Sequence, residues 1–104
     1  MTYSIYRHPD VEYDLLDIAA LLKEYAGVDV ALRKLSEIEK TIINLSETPH
    51  IGSLRNEITP GLHAIPTARK GVVTFIVDDE EQTVFIVSIT YAGADWLRNI
   101  PERT

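Results

Sequence analysis

Cysteine is absent from the chain, which excludes disulfide staples, thiolate metal sites and a catalytic thiol. Long apolar runs are missing too. No stretch approaches the roughly 18 residues that span a bilayer, and Met1-Thr2-Tyr3-Ser4-Ile5-Tyr6-Arg7-His8-Pro9 lacks the apolar centre of a secretory leader. Neither a signal peptide nor a membrane anchor is expected, and a reducing cytoplasm suits a thiol-free chain. Positive charge is scarce: ten Lys and Arg stand against sixteen Asp and Glu, a net charge of −6. A molecule of this balance repels phosphate backbones, so direct nucleic-acid binding is not expected and a protein partner is the first expectation. Phosphate-cradling glycine loops, nucleophile elbows and zinc-binding H-E-x-x-H helices do not occur. The histidines at positions 8, 50 and 63 match no metal-ligand spacing, and neither a metal nor a cofactor is expected.

What is present fits one folded domain. Of the 104 residues, 45% are hydrophobic and 25% charged, ordinary values for a globular chain of this length. Tyr3 to Arg7 alternates in the manner of a short strand with Tyr3, Ile5 and Arg7 on one face. Pro9 stops it, and Asp10 and Glu12 place negative charge at the start of a helix running to about Ala26. Val11, Leu15, Ile18, Leu22 and Tyr25 form its apolar stripe. Gly27 ends that helix, and Asp29 is the expected N-cap of a second, in which Ala31, Leu35, Ile38, Ile42 and Leu45 repeat the pattern up to Thr48-Pro49.

Pro49, Gly52, Pro60 and Gly61 punctuate an expected loop from Pro49 to Gly61. Leu62 to Ala68, Val72 to Val77 and Thr83 to Thr90 then read as three strands of an antiparallel meander. The tail from Ala92 to Arg98 is expected to add a helical turn before Pro101. The fold class is therefore α+β: an N-terminal strand, then an antiparallel helical hairpin on one face of a small, mainly antiparallel sheet (β-α-α-β-β-β), with a short C-terminal helix.

One hairpin covers one face of a sheet, so the other face should be polar at alternate positions. Val72 to Val77 and Val84 to Ile89 are instead apolar at both parities. Two readings follow: the outer face is shielded by the Pro49 to Gly61 loop and the C-terminal turn, or it is a groove for a partner.

The order of elements resembles the RelE/ParE superfamily of bacterial type II toxins, and ParE in particular. The likeness rests on the strand Tyr3 to Arg7, the Pro49-x-x-Gly52 turn, Gly61-Leu62 ahead of the meander, and Asp78-Asp79-Glu80 before Val84-Phe85-Ile86-Val87. It implies a toxin forming a hetero-oligomer with a cognate antitoxin, whose C-terminal segment wraps and neutralises it, and whose target is DNA gyrase. Val72, Thr74, Ile76 and Tyr13 are then the expected antitoxin contacts, and Arg69, Lys70, Trp96 and Arg98 the expected target contacts. Many relatives carry Arg where this chain has His63, and His-Arg near the end of the last strand, where it reads Tyr91-Ala92-Gly93-Ala94-Asp95.

A RelE-like messenger-RNA endonuclease is the alternative. Its chemistry needs clustered Arg or Lys to stabilise a phosphorane, with a Tyr, His or Glu to move protons. The tail offers Tyr91 and Arg98, His50 and His63 flank Glu57 near Arg55, and the strands Val72 to Val77 and Thr83 to Thr90 carry no Lys or Arg. No catalytic residue is assigned. A non-toxic binding module on the same scaffold is a further alternative. Each candidate contact also has a plainer role: Arg69-Lys70 as a solvated hairpin tip, Tyr25 as core, Trp96 as a pin for the tail, and Asp78 to Glu81 as a solvated turn.

Overall fold

A computed structural model describes residues 2–95 and 99–104. Its elements are β1 (Ser4–Arg7), α1 (Val11–Ala26), α2 (Val28–Asn44), β2 (Ser53–Leu54), β3 (Leu62–Thr67), β4 (Gly71–Asp78), β5 (Thr83–Tyr91) and α3 (Ile100–Arg103). The strands form one sheet in the order β1-β5-β4-β3-β2, with β1 parallel to β5 and the other pairs antiparallel. This is the expected α+β architecture, with four local differences.

Gly27, at φ 91°, closes α1 and also occupies the N-cap of α2, so Asp29 falls inside the first turn rather than capping it. There its charge still meets the positive end of the helix. α2 gives way after Asn44, ahead of the expected end at Thr48-Pro49, to tighter turns through Leu45, Ser46 and Glu47. The expected loop contains β2, which pairs Ser53 with Ala64 and Leu54 with His63. Its approach depends on Gly52, where a Cβ would lie 2.5 Å from the Ala64 carbonyl oxygen. Finally, residues 92–95 of the expected C-terminal turn are not helical and 96–98 lie outside the described residues, while α3 (Ile100–Arg103) includes Pro101 in its first turn. Proline there starts a helix, because its missing N–H would have had no intrahelical partner.

The helices pack where their stripes predict, with Val11, Ile18, Leu22, Ile38 and Ile42 buried against Val73, Phe75, Val84, Ile86 and Ile89 of the sheet. Tyr25 departs from its stripe and is 79% exposed. Residues 23–29 are all exposed, so the tip of the hairpin stands clear of the core. Tyr3, just before β1, and Ile5 within it pack onto the core while Ser4 and Tyr6 face outward, as the alternation requires. A bidentate ion pair from Arg7 to Glu39 ties that strand to α2.

The doubly apolar meander has a specific cause. Thr74 pairs with Ser88 and Phe75 with Ile86, leaving Val87 as an extra residue in β5. A bulge of this kind resets the side-chain alternation. Val84 and Ile86 face the helices before it and Ile89 after it, while Val87 joins the opposite face. On that outer face Leu62, Val87 and Ile100 are fully buried, with Ile58, Ile76 and Phe85 around them. The chain's own loop and C-terminal helix therefore seal this part of the outer face.

The bulge lies where β5 loses its neighbour. Pairing with β1 ends at Arg7 opposite Ile86, the His8 N–H adds one bond to the Ile86 carbonyl at 2.9 Å, and Pro9 turns the chain away. Two side chains take over the exposed edge. The Val87 carbonyl accepts from Arg103 Nη1 at 3.1 Å, and the Ile89 N–H donates to Asp14 Oδ2 at 3.0 Å. Arg103 and Asp14 also bind each other through two contacts of 2.6 and 3.0 Å, with side chains only 8% and 11% exposed. Arg103→Ala would leave Asp14 buried without its counter-charge, a loss of about 3–5 kcal/mol. Urea denaturation should show that decrease, and a change below about 1 kcal/mol would contradict the role assigned to the pair.

Candidate functional site

The β3–β4 hairpin turns through Ala68, Arg69 and Lys70. Ala68 and Arg69 have φ of 50° and 70°, in the left-handed region that L-residues avoid. Such geometry costs on the order of 1–3 kcal/mol per residue and persists where its surroundings enforce it. Here the Lys70 N–H donates to the Ala68 carbonyl at 2.9 Å, the Ala92 N–H to the Lys70 carbonyl at 3.0 Å, and the Tyr91 hydroxyl to the Ala68 carbonyl at 3.2 Å. Gly71 admits this crowding, since a Cβ there would lie 2.8 Å from the Thr67 carbonyl oxygen and 3.3 Å from the Tyr91 ring. The turn is held in place by the end of β5.

Against it opens a cleft of about 700 Å³, lined by Leu21, Leu22, Tyr25 and Ala26 of α1, Val30 and Lys34 of α2, Arg69 and Lys70 of the turn, and Tyr91 and Ala92. Its floor is apolar and its rim carries three cations in a chain of net charge −6. Arg69 and Lys70 are exposed and make no ion pair among the described residues, whereas Lys34 lies 4.0 Å from Glu37. Uncompensated cations around an apolar floor suit recognition of an anionic, partly apolar surface.

The other expected contacts scatter. Tyr13 is 65% exposed on α1. Val72 lines a shallow hollow of about 250 Å³ with Ser53, Arg55, Ala64, Ile65 and Pro66, where the outer face stays open. Ile76 is half-buried against the outer cluster. Thr74 is fully buried and shares a 2.6 Å hydrogen bond with the Ser88 hydroxyl, so it presents no surface to a partner. Trp96 and Arg98 lie outside the described residues. Sequence reasoning placed Arg69 and Lys70 at a turn but missed Lys34, Leu21 and the clamping role of Tyr91. No local pattern marks these, because the cleft joins four separated segments.

The residues proposed for acid–base chemistry converge only in part: the His50 and His63 rings lie 6.2 Å apart, but Tyr91 is remote from both. His63 is almost buried and stacks on Phe75, with ring centroids 5.3 Å apart. Its row of the sheet lies four residues from that of Tyr91, about 13 Å along the strands. Glu57 accepts from Arg55 at 2.6 Å, and that bond holds its carboxyl below the usual carboxylate range. His50 Nε2 lies 2.8 Å from Asp79 Oδ1, which also accepts from the Tyr3 hydroxyl at 2.8 Å. This cluster clasps the start of the chain, the loop after α2 and the β4–β5 turn. Among the described residues, no group of three His, Cys, Asp or Glu side chains could hold a metal ion. Nor is any helix among them long and apolar enough to cross a membrane.

Residues 5–96 match the family described as ParE toxin of type II toxin-antitoxin system, parDE. The chain belongs to the ParE toxin family. Solved structures agree on the fold. One from the chromosomal ParDE system of P. aeruginosa superposes with a TM-score of 0.73 at 20% identity, covering 88% of this chain and 97% of that one. An E. coli RelE mutant in the free state gives 0.63 at 18% identity, covering 99% and 98%. The Mycobacterium tuberculosis RelBE2 toxin–antitoxin complex gives 0.64 at 17%, covering 88% and 100%. No curated protein matches.

Within this ParE fold two features are open to measurement. Tyr91→Phe removes the hydroxyl that binds the Ala68 carbonyl and should cost about 0.5–1.5 kcal/mol. It should lower the melting temperature by several degrees and broaden the amide resonances of Arg69 and Lys70, whereas an unchanged turn would show that Tyr91 does not hold it. The Tyr3 hydroxyl, followed by the charge and hydrogen bond of His50, holds the Asp79 carboxyl below its ordinary pKa. A depressed folded-state pKa contributes stability that is complete above the unfolded value and lost as pH falls through the folded one. The urea midpoint of the native chain should therefore exceed that of Asp79→Asn at about pH 5, and the gap should close towards about pH 2.

Proposed function

We propose that this ParE-family chain is a toxin that acts by binding a protein, with the Arg69–Lys70 cleft as its recognition site and DNA gyrase as its target. The carrying observation is the cleft itself. The backbone that carries Arg69 and Lys70 is held in a strained turn, which places both cations over a floor that accepts apolar side chains. Preorganisation of that kind serves binding, and Tyr91 lies about 13 Å along the sheet from His63.

A cognate antitoxin is the second partner of this reading, forming a hetero-oligomer with the toxin. Solved relatives are described as parts of ParDE and RelBE systems, and one as RelE in complex with an antitoxin peptide. Tyr13 and Val72 are the accessible candidates for the antitoxin. They lie in different layers, so a chain touching both must pass around the molecule.

Induction of the chain alone should arrest growth, and co-expression of the adjacent reading frame should restore it. In a supercoiling assay the purified chain should inhibit gyrase, and Arg69→Ala with Lys70→Ala should weaken inhibition by on the order of tenfold. Undiminished supercoiling together with cleaved transcripts in a translation extract would defeat the gyrase reading in favour of endonuclease activity. Normal growth on induction would defeat the toxin reading altogether.

A further inference from the structure

A second, smaller cleft of about 340 Å³ adjoins the first and shares Leu21 and Tyr91 with it. It is lined by Asp14, Asp17 and Ile18 of α1, by the end of β5 and by Ala94, Asp95 and Asn99. The two clefts form one trough along the inner edge of α1. At one end stand Lys34, Arg69 and Lys70, and at the other Asp17, an exposed carboxylate, while Asp95, which also lines that end, has a partner of its own. Asp14, at the same end, is committed to Arg103. Between the ends the floor is Ile18, Leu21, Leu22 and Tyr91. From Asp17 to Tyr25 α1 advances about 12 Å, roughly two turns of a partner helix or four residues of an extended one.

We infer that this trough binds a peptide segment of a partner protein in one fixed direction, with carboxylates at the Arg69 end, apolar side chains over Leu21 and Tyr91, and a cation at the Asp17 end. The inference rests on the protein-binding reading above and adds the chemistry and polarity of the bound segment. Charge complementarity decides the occupant. A nucleic-acid strand carries one sign throughout and would be repelled at the Asp17 end, as it is by the whole molecule. A wholly acidic peptide meets the same repulsion, while a purely apolar one leaves Arg69, Lys70 and Asp17 unanswered. A segment inserted backwards places like charges together at both ends, which supplies the directionality.

The test is a displayed library of random peptides of roughly twelve residues, selected against the intact chain. Enriched peptides should share one order, acidic then apolar then basic or its reverse, but not both. Arg69→Glu with Lys70→Glu should weaken them by on the order of tenfold, and Asp17→Lys should do so independently. All three residues are exposed or at the surface of the cleft, and circular dichroism checks that each variant folds. The triple variant should favour a synthetic peptide with its charged ends exchanged. Binding should also weaken at about 0.5 M salt. An absence of enriched peptides, enrichment without charge order, or affinities indifferent to these changes would overturn the inference. Growth arrest that survives such a result would leave the toxin reading standing. Ordered peptides from a chain that does not arrest growth would remove that reading and leave the trough's assignment intact.

Discussion

The fold depends on an edge that a missing strand leaves open and two side chains close. β1 is short because Pro9 ends it, yet β5 continues for five residues beyond its last partner. Buried peptide groups there need hydrogen bonds. Asp14 takes the Ile89 N–H and Arg103 supplies the Val87 carbonyl, and the two neutralise each other. One ion pair thus joins residues 89 positions apart, covers a sheet edge and fixes α3. Covering an edge in this way also denies it to other chains. With α3 fixed, Ile100 enters the outer cluster, and the face that alternation alone would leave uncovered is partly closed.

The same stretch of β5 builds the recognition surface. Past the bulge, Ile89 returns to the helix side, and Tyr91 follows it two residues on. From there its ring packs beside Gly71 and its hydroxyl holds the β3–β4 turn. Arg69 and Lys70 are therefore positioned by the strand that the ion pair secures. The exposed tip of the helical hairpin supplies the opposite wall through Tyr25 and Val30. A chain rich in acid thus presents two adjacent cations with no ion pair among the described residues beside an apolar floor.

The sequence by itself determined the layers. Four-three spacing set both helical faces, Gly27 set the joint between them, and strand alternation in residues 3–7 set which side of β1 is buried. These features are local, and their periods are those of the backbone. It also marked Arg69 and Lys70, because a charged pair before a glycine between two strands is a turn. Tertiary structure decided the rest. Apolar residues at both parities of residues 84–89 looked like a face awaiting a partner, but a bulge accounts for part of them and the chain's own tail for more. Bulges carry no pattern of their own. Nor does sequence spacing record that Asp14 meets Arg103, that Tyr91 clamps Ala68, or that Lys34 and Asp17 stand at opposite ends of one trough. Those relations arise only once distant segments share a surface, where the unmet hydrogen bonds and charges of one are answered by another.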